Sequence, residues 1–365
     1  MNVQRGPIEP VRLDALTGLR WWAALAVFAY HCENLVEFPA FIARWLQWGY
    51  LGVTFFFVLS GFVLTWSMRP GTSRTTFYWR RISRIYPLHL VALVLAIPVF
   101  YSLHPDPAQW WVKQWSLPVI ALSVVVLQGW WRDPVILFSG NPAAWTLTAE
   151  FFFYALHPFL AAMLWRVRRR GAFVAVGAIA ALSLVARIAA IAWPAGWFAN
   201  LPWPVLRMNE FALGMALAWA MRWGFAARVP PWFVAAGATA AFAALTYLPS
   251  LGGIGQWVPE VATAISALAI VSVASREMAG GARWLRWRPI VVLGEWSFAF
   301  YLIHATILYA VREAGGFQPW GAPTAVTVVA LAAVAIAGAG ALHTLVERPV
   351  ESRLRRVWPA APRPR

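Results

Sequence analysis

Residues 18–34 read GLRWWAALAVFAYHCEN, an apolar run broken by Arg20 and His31, which stand eleven residues apart. Over eleven residues a helix advances about 16 Å and turns almost three full times. The two side chains therefore share one helical face at different depths. Polar groups inside a bilayer are costly; they turn toward a bundle interior or a watery cavity and tend to mark function. That reading has weight only if the rest of the chain is also membrane-embedded.

The composition says that it is. Of 365 residues, 61% are hydrophobic and 12% charged, about half the charge of a soluble globular protein. Apolar runs fall near 17–36, 48–68, 85–103, 116–129, 143–165, 171–193, 203–221, 230–248, 256–275, 289–311 and 322–346. All but 116–129 approach the roughly 20 residues that a spanning helix needs. The predicted fold class is all-α, a polytopic integral membrane helical bundle. The net charge of +16 does not point to nucleic acid, because the arginines cluster in short loops between apolar runs. That is the positive-inside pattern, and the partner it implies is a lipid bilayer. The polar first sixteen residues have no apolar core, so no cleavable signal peptide is expected. The single cysteine, Cys32, excludes an internal disulfide and a cysteine metal site.

Charge also decides the count of crossings. Arginines crowd the stretches 69–84, 166–170 and 276–288 and the tail after 347. If 116–129 crossed fully, the first two stretches would lie on opposite sides. If it does not, all of them share one side with both termini, as the positive-inside rule favours. The expectation is ten spans, with N and C termini cytoplasmic in a bacterial inner membrane. A cytoplasmic segment 1–16 precedes a transmembrane region 17–346, in which 116–129 is re-entrant or interfacial, and a basic cytoplasmic tail 347–365 follows.

With that topology Glu150 lies about two turns into a span that starts outside, and His304 about four turns into one that starts inside. His31, Glu150 and His304 are predicted to converge around one cavity in the outer half. A neutral imidazole accepts a proton near pH 7, and a carboxylate beside it would orient the ring. Tyr154 and His157 share the helical face of Glu150, while Arg187 and Glu260 also lie toward outer ends. His89, His104, His157 and His343 do not gather at one depth, so no metal site is expected.

Six stretches resemble the membrane-bound acyltransferase-3 family, in order and over nearly the whole chain. They are LTGLRWWAALAVFAYH, WGYLGVTFFFVLSGFVLTWS, YWRRISRIYPLHLV, AAWTLTAEFFFYALHPFL, VLRMNEFALGMALA and LGEWSFAFYLIHATIL. Trp21 stands where the family often has glycine, and His89 where it commonly has tyrosine. The resemblance implies an acyl-CoA-dependent O-acyltransferase of glycans or small molecules. The co-substrate would be acyl-CoA, acetyl-CoA first, with no bound cofactor. His31 would be general base or acyl carrier, and Glu150 would position it or the acceptor. Arg20, Arg80, Arg81 and Arg84 would hold the anionic donor, because guanidinium pairs bidentately with phosphate. His304, Arg207, Tyr154 and Ser297 would be acceptor or accessory residues. A surface glycan such as an exopolysaccharide is the first acceptor reading, and a secreted small molecule such as a macrolide the second. A transporter is the rival class, since intramembrane polar residues mark those too; no repeated halves support it.

Overall fold

The computed structural model describes residues 6–69, 71–247 and 253–357, which are mostly helical with two short two-stranded pairings. Ten of the apolar runs each carry a long helix: α1 Asp14–His31, α2 Gly52–Trp66, α3 Arg74–Phe100, α4 Trp145–Trp165, α5 Arg169–Ala192, α6 Met208–Arg222, α7 Pro231–Tyr247, α8 Val258–Met278, α9 Arg288–Gly315 and α10 Ala322–Leu342. A π-helical turn, His343–Glu347, leads from α10 into α11, Arg348–Val357.

Among the described residues seven segments are long and apolar enough to cross a bilayer, and they contain α2, α3, α4, α5, α8, α9 and α10. α6 and α7 have 15 and 17 residues, about 22 and 25 Å, less than the roughly 30 Å hydrocarbon core. α1 has 18 residues and carries Arg20 within it. The class of a multi-pass helical bundle therefore stands: seven helical segments meet the length and composition of a crossing, and α1, α6 and α7 do not meet them.

Some boundaries differ from the sequence reading. The arginine stretch 69–84, expected as a loop, is helical from Arg74 because Ser73 caps it, its hydroxyl accepting from the Thr76 N–H at 3.1 Å. α3 consequently has 27 residues. The tail from 347 is helical as far as Val357, and α11 packs back on α3, where the Trp79 indole donates to the Leu354 carbonyl at 2.7 Å. Residues 358–365, with Arg363 and Arg365, lie outside the described residues, as do residues 1–5 of the N-terminal segment and Leu248 at the end of one run.

The weak run at 116–129 forms an eight-residue helix, Leu117–Val124, followed by a left-handed residue, Val126, and a 3-10 turn. Eight residues extend about 12 Å, too little to cross. The segment lies level with the middle of α3: His89 Nε2 meets the Ser123 carbonyl at 2.9 Å, and the Tyr86 hydroxyl donates to Val124 at 3.1 Å. Farther on, the Asn141 amide donates to the Leu302 carbonyl at 2.6 Å, halfway along α9.

Missing side chains set the two tightest crossings. A Cβ on Gly294 of α9 would run into the Thr17 carbonyl of α1. Gly61 of α2 and Gly214 of α6 meet the carbonyls of Phe211 and Val58 in the same way. Membrane helices approach closely through such small residues, because no hydrophobic force separates helix from lipid. α1 is also fixed at both ends. Its first turn has no cap of its own, and Glu277 at the end of α8 supplies one, accepting from the Asp14 and Ala15 N–H groups at 2.9 Å each. At its far end, Val36–Glu37 pairs in parallel with Gln318–Pro319 beyond α9, and Arg312 donates to the Asn34 carbonyl. α5 and α7 lie at the periphery, where each buries one residue, Ala172 and Val234.

Candidate active site

Two polar clusters lie along the inward face of α1, one near Arg20 and one at His31. The Arg20 cluster surrounds a cavity of about 60 Å³ lined by Arg20, Thr146, Glu150, Ser297, Phe56 and Tyr301, among others. The Tyr154 hydroxyl donates to Glu150 Oε2 at 2.8 Å, one turn along α4. The charges that act on Glu150 are those of Arg20, Arg84 and Arg81, and Glu347 also acts on Arg20. Three guanidinium groups thus share a largely buried region with two carboxylates. Such a surplus of positive charge is costly to bury alone, and an anionic group would offset it. Arg80 points to an exposed face and does not join these charges. Ser297 lines the cavity while its hydroxyl donates to the Gly294 carbonyl at 2.8 Å.

A second, larger cavity of about 330 Å³ opens between α1 and α2, lined by Arg12, Thr17, Leu59, Trp66 and Arg69 among others. Arg20 lines this one too. It is the residue common to the larger vestibule, on the side of the chain's N-terminal segment, and the smaller chamber.

The imidazole cluster stands at the other end of α1. The rings of His31 and His304 have centroids 5.2 Å apart. His304 lies between aromatic neighbours, stacked on Phe300 at 6.0 Å and edge-on to Phe28 at 6.5 Å. Its Nδ1 lies 2.7 Å from the Tyr301 carbonyl, so Nδ1 carries the donated hydrogen, a carbonyl being an acceptor only. His304 Nε2 and His31 Nδ1 are buried and have no hydrogen-bond partner in the structure. Tyr301 links the clusters: its side chain lines the chamber, its hydroxyl donates to the Ala143 carbonyl at 3.2 Å, and its own carbonyl holds His304.

The placement of Glu150 corrects the sequence reading. Glu150 was expected beside His31 in the outer half. Because residues 104–144 fold into the bundle, α4 begins level with the middle of α9, and Glu150, five residues farther on, falls on the Arg20 side. It meets Tyr154 and the arginines, not His31. Arg207 is also apart: it pairs with Glu210 at 2.6 Å and Thr54 at 3.3 Å, tying α6 to α2, with its guanidinium over the Trp203 ring. Arg187 and Glu260 form an ion pair at 2.8 Å between α5 and α8. His157 is buried against Thr65 at 3.2 Å. Among the described residues no group of three or more His, Cys, Asp or Glu forms a metal-ligand set.

Thr146, Tyr301 and Glu347 were not singled out from sequence. Tyr301 had a signal, since it sits three residues before His304 in YLIH, the spacing at which a backbone carbonyl faces the next turn. Glu347 meets His343 at 3.0 Å one turn back, but its reach to Arg20 had no signal, because that residue is over three hundred positions away.

The profile described as "Acyltransferase domain", that of the acyltransferase-3 family, matches residues 13–342. The chain is 34% identical to "Acyltransferase MdmB" of Streptomyces mycarofaciens, covering 98% of this chain and 96% of that protein. It is 24% identical to "O-acetyltransferase OatA" of Staphylococcus aureus, covering 84% of this chain and 52% of OatA. A stretch of 160 residues is 28% identical to "Peptidoglycan O-acetyltransferase OatA" of Listeria monocytogenes, covering 40% of this chain and 24% of that protein. No solved structure matches the chain. A helical membrane bundle with a cationic chamber and an imidazole pair, matched by that profile over nearly its full length, belongs to the acyltransferase-3 family.

Proposed function

We propose that this protein moves an acyl group, acetyl first, from cytoplasmic acyl-CoA to a hydroxyl of a surface glycan. The proposal includes ten crossings of a bacterial inner membrane, with both termini in the cytoplasm. The observation that carries it is the position of Arg20 between a cationic vestibule and a small, largely apolar chamber that also holds Glu150, Thr146 and Ser297. A multiply anionic thioester suits Arg20, Arg81 and Arg84, since arginine pairs with phosphate bidentately. Because His31 lies about 16 Å along α1 from Arg20, the chamber would hold the arm of the donor, and the thioester carbonyl would sit beyond it at the imidazole pair. The names of the relatives support acyl and O-acetyl transfer, and the Listeria relative is named for a glycan.

In the reaction the acceptor oxygen attacks the thioester carbonyl. A C–O bond forms and the C–S bond breaks. His31 takes the hydroxyl proton as general base, and the departing CoA thiolate is then protonated. A transient acyl-histidine is the covalent version of the same step. Glu150, Tyr154 and Ser297 would hold the donor end of the chamber. A small-molecule acceptor is the second reading. It is favoured by the end-to-end match to MdmB, whose name specifies no glycan, whereas the chain spans about half of the Staphylococcus OatA.

The test is release of free CoA thiol from acetyl-CoA by the purified protein in lipid nanodiscs, beside His31→Ala. Turnover that falls by about 10²-fold or more in the variant is expected. Undiminished transfer by His31→Ala overturns the role of His31. No release and no binding with any acyl-CoA overturns the enzyme reading in favour of a transporter.

A further inference from the structure

His31 has no carboxylate to orient it. Among the described residues no Asp or Glu side chain bonds to its ring, and Glu150 is engaged by Tyr154 and the arginines. A base that acts through one imidazole nitrogen needs the other fixed, because the tautomer decides which nitrogen holds the lone pair. What faces His31 is a second imidazole whose own tautomer is set.

We infer that His304 is the positioning residue for His31: its Nε2 lone pair receives the His31 Nδ1–H and leaves His31 Nε2 free to accept a proton. The first support is the His304 Nδ1 contact with the Tyr301 carbonyl at 2.7 Å, which assigns the hydrogen to Nδ1 and the lone pair to Nε2. The second is that His304 Nε2 and His31 Nδ1 are both buried without a partner, on rings 5.2 Å apart. A buried acceptor and a buried donor left unpaired are each costly, and they can satisfy one another. No hydrogen bond joins them in this structure; the inference requires the His31 ring to turn about χ2, a broad torsion in histidine, while His304 stays on the Tyr301 carbonyl. The third is that His31 Nε2 is not among the buried unpartnered atoms, so it is the nitrogen left open to a reacting group. Phe28 and Phe300 wall the pair, and Arg312 ties α9 to the chain just after α1. During transfer the hydroxyl proton moves to His31 Nε2. His304 keeps its own proton and its lone pair, and supports the imidazolium through the Nδ1–H bond. When the thiolate takes the proton from Nε2, both rings return to their starting tautomers.

The role in transfer rests on the proposed function, whereas the tautomer of His31 does not. The test is ¹⁵N-histidine NMR of the protein in nanodiscs, with His31 assigned by comparison with His31→Ala, together with kinetics of His304→Ala and His304→Gln. A glutamine amide oxygen reaches about as far as Nε2 and accepts a hydrogen bond. The expected result is His31 as the Nδ1–H tautomer in the wild type and in His304→Gln, and a mixture in His304→Ala. The kcat of His304→Ala should fall about 10²-fold with the KM for acetyl-CoA unchanged, and the glutamine should recover most of it. A wild-type His31 protonated at Nε2, or a tautomer indifferent to His304, overturns the inference whatever the activity. If His304→Ala does not fold, the wild-type and glutamine spectra still decide. Undiminished turnover in His31→Ala would instead overturn the proposed role of His31, with the tautomer result standing apart from it.

Discussion

Replacing Glu277 by alanine removes the cap from the helix that carries both Arg20 and His31. The carboxylate accepts from the Asp14 and Ala15 N–H groups, one per oxygen, at 2.9 Å each. It also lies 3.4 Å from the Arg286 guanidinium. Hydrogen bonds to a charged group are worth about 1.5–3 kcal/mol each, and loss of a helix cap costs about 0.5–2 kcal/mol. The Asp14 contact is only partly buried, so water recovers part of it. A local cost of about 3 kcal/mol for Glu277→Ala follows, and about 1 kcal/mol for Glu277→Gln, which keeps one acceptor oxygen and loses the charge. The assay is amide hydrogen exchange in nanodiscs, read on peptides covering 14–20. Local opening should become about 10²-fold more frequent in the alanine variant and several-fold in the glutamine. Peptides from α5, which does not touch this cap, should be unaffected. Unchanged exchange at 14–20 in the alanine variant, or a glutamine as costly as the alanine, would refute the argument that a bidentate carboxylate holds this helix end.

Gly294→Ala should force α1 from α9, because its Cβ would meet the Thr17 carbonyl; the cost is about 1–3 kcal/mol in stability, with loss of turnover. Gly177→Ala and Gly237→Ala, where nothing lies within 4 Å, should instead be neutral or stabilising by up to about 1 kcal/mol, and thermal unfolding of the three variants compares them. Lys113 is the one lysine in the chain; its ammonium donates to the Phe138 carbonyl at 3.0 Å, and burial pulls its pKa down to about 8. A folded value below the unfolded one means that charging opposes folding, so stability should rise as pH climbs from about 8 toward the ordinary lysine range. On the proposed topology Lys113 follows the third crossing and faces the non-cytoplasmic side, so a membrane-impermeant amine reagent, read by peptide mapping, should label it from that side with half-maximal rate near pH 8; a midpoint above 10 contradicts the burial, and labelling from the cytoplasm contradicts that topology.

The sequence reading found the helices because apolar length is a local property, written in the run itself. It missed the depth of Glu150 because depth is not local. Where α4 begins depends on how residues 104–144 fold inward and on the Asn141 bond to Leu302. The shared face of Arg20 and His31 was legible, since helical phase follows from spacing alone. The division of the arginines was not: with 69–84 taken as a loop, Arg80, Arg81 and Arg84 looked equivalent, whereas the helix turns Arg80 outward and Arg81 and Arg84 toward Glu150. The Glu277 cap joins positions more than 260 residues apart, and no local pattern announces it.

The placement of Arg20 between two cavities also bears on bioenergetics. An enzyme with a polar interior across a coupling membrane runs the risk of becoming a leak. Every elementary charge that slips through dissipates about 2.3 kcal/mol per 100 mV of membrane potential. A fixed guanidinium at the junction of vestibule and chamber repels hydronium and sodium and, on the proposed function, would attract an anionic donor, the electrostatic barrier by which pores exclude protons. The side chain proposed to hold the donor would thus also insulate the cell.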